Sequence, residues 1–352
     1  MKVVHLVGAR PNFVKLAPLI GKLHPLKEVL VHSGQHYDYT MDKVFFDTLG
    51  IKEPDYHLGV GSGSHAEQTG KIMVEFERIC LKEKPHLVIV YGDCNTTIAG
   101  ALVAAKLHIP LCHIEAGIRS YDREMPEEIN RVLTDHCSDY LFAPTMTAVK
   151  NLEQEGITKN VFNVGDIMFE TYLEFMEQAS ASTVIERLGL SKKEFYLATL
   201  HRPSNVDFKE KLERVFRAMS QLDKPVVLPL HPRTRKRVEL HKVDTGGVRL
   251  IEPQPYIDMI ALEKSARLII TDSGGVQKEA YYAKTPCIVL RTTTEWPELL
   301  GNGAVLLGED YEALGEEVVE LLSQSFTFDK LFFGDGNTSN KIAKILKSKL
   351  LS

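Results

Sequence analysis

Leu268-Ile269-Ile270-Thr271-Asp272-Ser273-Gly274-Gly275-Val276 reads as an apolar strand that turns, within four residues, into the start of a helix. A short run of apolar and β-branched residues bounded by polar and glycine residues fits a strand buried on both faces. Two adjacent glycines remove the side chains that would keep an anion off the backbone. The first N–H groups of the helix, and its dipole, then favour negative charge at that point. The reading implies a diphosphate cradle at Asp272, Ser273, Gly274 and Gly275, with Glu279 one turn further on and placed to accept hydrogen bonds from ribose hydroxyls. The same four residues also make a plain tight turn with an Asp or Ser N-cap, and spacing alone leaves both readings open.

Outward from this stretch, short apolar runs alternate with amphipathic segments along the whole chain. In the second half, runs at 195–200, 226–230, 248–251 and 287–290 read as strands, with a short last one at 305–307. In the first half the corresponding runs are 3–7, 29–32, Leu87–Tyr91, Leu111–Ile114, 140–142 and 161–164, with helical patterns at 98–107 and 128–137 between them. Strands apolar on both faces and separated by helices mean parallel sheets covered on both sides. Residues 170–193 are polar and helix-like, without a strand pattern. A length of 352 residues favours two cores over one. The expected fold is therefore α/β, with two Rossmann-like doubly wound domains and the ligand in the cleft between them. The domains are expected at 1–170 and 194–335, joined by a helical connector at 171–193. Ile342, Ile345, Leu346 and Leu350 lie at helical spacing and predict a C-terminal helix within 336–352 that crosses back to the first domain.

The bulk properties narrow the function classes. A net charge of -5 gives no support for a nucleic-acid surface, so an anionic ligand must be held by local groups. Five scattered cysteines without a C-x-x-C pair form neither a disulfide framework nor a zinc site, and they suit a reducing cytoplasm. The opening run Val3-Val4-His5-Leu6-Val7 is too short for a signal peptide, and no stretch approaches the length of a membrane span.

Ligands of open α/β sheets bind beyond the C-terminal ends of the strands, which makes the residues just after each strand the ones to weigh. His201 and Arg202 follow the run at 195–200, where a His-Arg pair can bind or protonate a leaving phosphate. Asp207 and Glu210 fit a cap for the next helix. In the first domain Gly8-Ala9-Arg10-Pro11-Asn12 follows the first strand, and Arg10 and Lys15 supply two cations. Gly92-Asp93 and Glu115-Ala116-Gly117 follow two further strands, and Glu127-Glu128 opens the helix that carries Arg131. Acids aimed at one sheet edge repel one another and invite raised pKa values suited to proton transfer. For one of Glu127 and Glu128, compensation of the helix dipole is the simpler account. His113 precedes Glu115 by two residues, which puts both on one face of a strand. As a lone pair this does not make a metal site, and no metal or other cofactor is expected.

Taken in order, the motifs resemble the non-hydrolysing UDP-N-acetylglucosamine 2-epimerase family. The residues that carry the resemblance are Gly8-Ala9-Arg10-Pro11 with Lys15, Gln35-His36, Gly92-Asp93, His113-Ile114-Glu115-Ala116-Gly117-Ile118-Arg119, Met125-Pro126-Glu127-Glu128-Ile129-Asn130-Arg131, His201-Arg202, His231-Pro232-Arg233, Thr271 to Glu279, and Thr293-Thr294-Glu295. The resemblance implies a fold like that of GT-B glycosyltransferases, a homodimer, a UDP-sugar substrate and no redox cofactor. It implies inversion at C2 by elimination of UDP to a 2-acetamidoglucal, followed by re-addition. Asp93, Glu115 and Glu127 match the family's acid/base carboxylates, and His201 the histidine that assists the departing UDP. Arg10, Lys15, Ser273, Gly274, Gly275 and Glu279 match nucleotide-binding positions. Arg131, Arg202, Gln254, Asp272, Glu295 and Trp296 complete the expected substrate-binding set.

The sequence also departs from the family pattern. Asn12 stands where a glutamate is usual, Trp296 replaces an arginine, and Gly165-Asp166-Ile167-Met168 replaces a G-N-T stretch. These variants resemble a sister group acting on UDP-2,3-diacetamido-2,3-dideoxy-glucuronate. The segment 59–69 differs from the bacterial loop that, with the Gln-His pair, holds a second, activating substrate, so weak or absent activation by substrate is expected. The rival readings are a GT-B glycosyltransferase using a UDP-sugar donor, a hydrolysing relative, and a catalytically silent nucleotide-sugar sensor.

Overall fold

The computed structural model describes residues 1–35, 46 and 48–351. Two compact units are present, one made of Met1–Thr171 and Leu331–Ser352, the other of Tyr172–Lys330.

The first unit contains β1 (Lys2–Val7), α1 (Arg10–Leu16), β2 (Lys27–His32), β3 (Tyr56–His57), α2 (His65–Glu83), β4 (Leu87–Tyr91), α3 (Asn95–Lys106), β5 (Leu111–Ile114), α4 (Pro126–Cys137), β6 (Tyr140–Ala143), α5 (Met146–Gln154) and β7 (Val161–Asn163). Among the described residues its strands form one parallel sheet in the order β3-β2-β1-β4-β5-β6-β7. Every residue of β4 is buried, as the unbroken run Leu-Val-Ile-Val-Tyr requires of a strand covered on both faces. One side of the sheet packs Val4, Leu6, Val88 and Val90 against Ile72 and Phe76 of α2 and Ala99 and Val103 of α3.

α6 (Ile167–Ser180) contains the point at which one unit gives way to the other, and α7 (Val184–Arg187) follows it. The second unit continues with β8 (Tyr196–Thr199), α8 (Pro203–Val206), α9 (Lys209–Ser220), β9 (Val226–Pro229), α10 (Pro232–His241), β10 (Arg249–Ile251), α11 (Tyr256–Ser265), β11 (Leu268–Thr271), α12 (Gly274–Tyr282), β12 (Cys287–Val289), β13 (Ala304–Leu306) and α13 (Leu314–Ser323). Among the described residues this sheet is also parallel, in the order β10-β9-β8-β11-β12-β13. The last helix, α14 (Thr338–Leu351), buries Ile342, Leu346 and Leu350 and belongs to the first unit.

The expected α/β architecture of two doubly wound sheets is thus the one adopted. The two-residue strand β3 had no apolar run to announce it, since an edge strand this short carries no period. Both strand orders reverse at one place, between β1 and β4 in the first unit and between β8 and β11 in the second. At such a switch point adjacent connections leave in opposite directions and open a crevice beyond the strand ends. The residues that follow β1, β4, β8 and β11 are therefore selected by topology before any side chain is considered.

Candidate functional site

In the first unit the switch point is held by Asn12. Its Oδ1 accepts from the N–H of Gly8 and of Ala9, each at 3.1 Å, while its Nδ2 donates to the Tyr91 carbonyl at 2.8 Å. One amide thus ties the turn after β1 to the end of β4. Gly92, next along, has φ +63°, and a Cβ there would lie 2.7 Å from Lys15 Nζ and 3.4 Å from Glu115 Oε2. The turn needs glycine for its conformation and for the ion pair beside it. Lys15 of α1 and Glu115 are both buried and form that pair.

Glu115 is itself unusual, with φ +76° just past the end of β5. Its N–H and that of Ala116 both donate to the Phe142 carbonyl of β6, at 3.1 and 3.0 Å. A left-handed glutamate costs on the order of 1–3 kcal/mol and persists only where its surroundings fix it. Such residues cluster at functional sites, and this one puts a carboxylate beside the Gly92 turn.

Asp93 pairs with Arg131 Nη2 at 2.5 Å, and the same guanidinium holds Glu128 at 2.9 Å. Glu128 in turn accepts from the N–H and hydroxyl of Ser120 and from the N–H of Tyr121, so its work is to fold the loop before α4. Glu127 is half-buried on the first turn of the same helix, and Arg10 is half-buried at the start of α1. The repulsion expected among the acids is relieved, because Asp93 and Glu128 share Arg131 and Glu115 has Lys15. Arg131, expected at the substrate, is 2% exposed and engaged by two carboxylates. It orients Asp93.

His113 does not join Glu115 on a strand face as expected, because β5 ends at Ile114 and the backbone turns left-handed at 115. The ring nitrogens of His113 meet Asp135 at 2.6 Å and the Gly92 carbonyl at 2.8 Å. Burial pushes the Asp135 carboxyl up, but the neighbouring His113 and Arg119 outweigh it and hold it below its ordinary value. Among the described residues no cluster of three or more His, Cys, Asp or Glu is arranged to hold a metal ion. In the segment 59–69 the chain passes from loop to α2, capped by Ser64, and Gln68 Nε2 donates to the carbonyls of Gln35 and Gly61. His36 lies outside the described residues.

In the second unit the stretch that decides the fold behaves as strand, turn and helix. Ser273 is the N-cap of α12, its hydroxyl accepting from the Val276 N–H at 3.4 Å, and Gly274 and Gly275 lead the helix. Asp272 takes no part in the cap. Its carboxylate is fully buried and accepts from the N–H of His201 at 3.0 Å, the N–H of Arg202 at 2.8 Å and Nδ2 of Asn205 at 3.2 Å. His201 Nδ1 stands 3.1 Å from Asp272 Oδ1. Burial alone would raise the Asp272 carboxyl, but the neighbouring His201 and these N–H groups pull it below its ordinary value. Asp272, expected as part of the cradle, is the anchor that fixes the His201-Arg202 loop, and it leaves the imidazole Nε2 edge for chemistry. The ring of His231, N-cap of α10, lies 5.3 Å from that of His201. Asp207 is not a cap either: Phe208 occupies that position, and the Asp207 carboxylate pairs with Arg233 at 2.8 Å and Arg237 at 3.0 Å.

Glu295 gathers cations at the start of α12. It pairs with Arg291 Nη1 at 2.8 Å and lies 3.7 Å from Arg202 Nη2, while a Cβ on Gly274 would be 3.5 Å from its Oε2. Arg291 was not singled out from the sequence, although its position just past β12 is the kind of place the strand-end filter selects. Trp296 is 3% exposed, and Lys278 Nζ sits 4.3 Å over its ring. The indole was expected at the substrate. Buried in this way it supports Lys278 and leaves little surface for a ligand. The loop carrying it is tied to α12 through Thr294, which donates to Gln277 Oε1 at 2.6 Å. Glu279 is nearly buried on α12. Gln254 lies beyond β10, two strands from β8, where it donates to the Glu252 carbonyl. The second unit offers a helix N-terminus, two arginines and an oriented histidine to an anion, and the first unit offers a pair of cation-matched carboxylates for proton transfer.

The model of one protein family, described as UDP-N-acetylglucosamine 2-epimerase, matches residues 21–347. A "UDP-N-acetylglucosamine 2-epimerase homolog" of Methanococcus maripaludis is 48% identical over 99% of this chain and 100% of its own length. A UDP-2,3-diacetamido-2,3-dideoxy-D-glucuronate 2-epimerase of Pseudomonas aeruginosa is 44% identical over 98% of this chain and 99% of its own. The crystal structure of the Methanocaldococcus jannaschii UDP-GlcNAc 2-epimerase, in complex with UDP-GlcNAc and UDP, superposes with a TM-score of 0.92 at 43% identity, covering 99% of this chain and 100% of that one.

Proposed function

Because the chain belongs to the UDP-N-acetylglucosamine 2-epimerase family, we propose that it interconverts UDP-GlcNAc and UDP-ManNAc by eliminating and re-adding UDP. The observation that supports this most is the pair of carboxylates at the Gly92 turn, Asp93 and Glu115, each matched to its own cation. Epimerisation takes a proton from C2 on one face and returns it on the other, which calls for more than one acid/base group. A transferase usually needs one base together with an acceptor site.

In the proposed reaction a carboxylate takes the C2 proton, the C–H electron pair becomes the C1–C2 double bond, and the C1–O bond breaks with its pair leaving on UDP. Asp93, Glu115 and Glu127 are the proton-transfer candidates. His201, oriented by Asp272, gives a hydrogen bond or a proton to the departing diphosphate. The Ser273–Gly275 backbone, Arg202 and Arg291 balance its charge, Glu279 receives the ribose hydroxyls, and Arg10 and Lys15 supply further positive charge. Reversal with protonation on the opposite face gives the epimer. The enzyme works as a homodimer in the cytoplasm in this reading. Among the described residues no helix is long and apolar enough to cross a membrane.

Incubation with UDP-GlcNAc alone, followed by NMR of the nucleotide sugars, tests the proposal. Appearance of UDP-ManNAc without any acceptor supports it, whereas transfer only on adding an acceptor contradicts it. The P. aeruginosa relative, at 44% identity, motivates running the diacetamido uronate in parallel as the second candidate substrate.

A further inference from the structure

Beneath α12 lies a titratable pair that the scheme above does not use. Glu263 of α11 is 1% exposed, and neither of its carboxyl oxygens receives a hydrogen bond among the described residues. Its carboxyl meets that of Glu279, itself 8% exposed. As two carboxylates they would be acceptor against acceptor, buried and like-charged, an arrangement the interior does not tolerate. A single proton turns the contact into a hydrogen bond.

We propose that Glu263 is a buried carboxylic acid whose O–H donates to Glu279 and holds that carboxylate in the orientation in which it receives the nucleotide ribose, making Glu263 a positioning residue for substrate binding. The inference rests on the reading of Glu279 as the ribose acceptor. Burial, and then the Glu279 charge, raise the Glu263 carboxyl well above its ordinary 4.5. Two further titratable groups face Glu263, the Tyr172 hydroxyl of α6, which has no hydrogen-bond partner among the described residues, and the Cys287 thiol of β12. Burial is the main cause that pushes both up. Neither supplies a positive charge to Glu263, whose carboxyl is acted on by burial and by Glu279.

The sign of the pH effect follows from linkage. Folded chain holds the Glu263 proton where unfolded chain has released it, so stability falls as pH rises above about 4.5 toward the raised folded value. Glu263→Gln removes this slope, because its amide donates to Glu279 at every pH. The experiment compares wild type, Glu263→Gln, Glu263→Leu and Glu279→Ala in the full-length enzyme, measuring thermal midpoints from pH 5 to 9 and UDP affinity by calorimetry. The expected results are a midpoint gap between Glu263→Gln and wild type that widens with pH, and UDP affinity near wild type at pH 7 in Glu263→Gln. Glu263→Leu should bind UDP about tenfold more weakly, the effect of losing one hydrogen bond to a charged group at the low end of its range. On raising the pH, UDP affinity should weaken in wild type and stay flat in Glu263→Gln. A midpoint gap independent of pH overturns the shared proton, and this readout survives even if Glu263→Leu does not fold. Unchanged UDP affinity in Glu263→Leu, with weakened binding in Glu279→Ala, overturns the positioning role. Unchanged affinity in Glu279→Ala overturns the ribose reading and the positioning role with it, while the midpoint series reads the shared proton separately.

Discussion

Replacing Asp272 by asparagine takes one charge out of the fully buried point where the β8 and β11 ends meet. The carboxylate now accepts from two backbone N–H groups, from Asn205 Nδ2 at 3.2 Å and from the His201 imidazole at 3.1 Å. Asparagine keeps one accepting oxygen and turns the other into a donor, so at least one N–H then faces an N–H. Hydrogen bonds to a charged group are worth about 1.5–3 kcal/mol each, and a buried donor left unmet costs about 1–3 kcal/mol. Allowing for relaxation of the loop, the loss should be about 3 kcal/mol in urea unfolding. Displacing His201 and Arg202 by about 1 Å is expected to cost on the order of a hundredfold in turnover. The pH dependence gives a separate check. The folded Asp272 carboxyl lies below its ordinary 3.8, so its contribution is complete above that value and is lost as pH falls through the lower folded one. Asp272→Asn should therefore lose less stability than wild type on acidification below about pH 4. A variant with wild-type stability and turnover would refute the assignment of Asp272 as the anchor of the loop.

Gly92→Ala must adopt φ +63° and place a methyl 2.7 Å from Lys15 Nζ. A cost of about 1–2 kcal/mol from the backbone alone is expected in denaturant titration, with turnover falling more than UDP affinity; the reverse split would argue against the turn's place in proton chemistry. Asp93→Asn should bind UDP as wild type does and lose at least about a hundredfold in kcat, within the range that general acid–base groups contribute. Equal turnover would displace Asp93 from the reaction and favour a silent sensor. Arg291→Gln should weaken UDP binding by about tenfold or more at low salt and less at high salt, read by calorimetry, if the guanidinium acts on the diphosphate; no change would reduce it to a partner of Glu295.

The sheets were legible in the sequence because parallel strands buried on both faces leave unbroken apolar runs, as in Leu87–Tyr91 and Leu268–Thr271. The topology then pointed to the strand ends, which is how Asp93, Glu115, His201 and the Ser273–Gly275 turn came into view. What the sequence could not convey is how each polar group divides its bonds. Asp272 and Arg131 carry the right chemistry in the right place, yet each is turned inward to hold a neighbour. Trp296 carried the strongest compositional signal in the expected substrate-binding set, as the single tryptophan, and it lies beneath Lys278. Asn12, read as a departure from a pattern, bridges two strand ends through an amide that both donates and accepts, which a glutamate side chain in its charged form does not do. Glu263 had no motif at all, since a buried acid within a helix looks like any surface glutamate until its burial is known.

The central claim is proton abstraction at C2 with departure of UDP, and hydrogen exchange during turnover in heavy water tests it most directly. With UDP-GlcNAc as substrate, proton NMR should show loss of the C2 signal in the UDP-ManNAc formed, as a solvent-derived deuteron is returned to the intermediate. Full retention of the original C2 hydrogen through many turnovers would contradict the elimination mechanism and the roles given to Asp93 and Glu115.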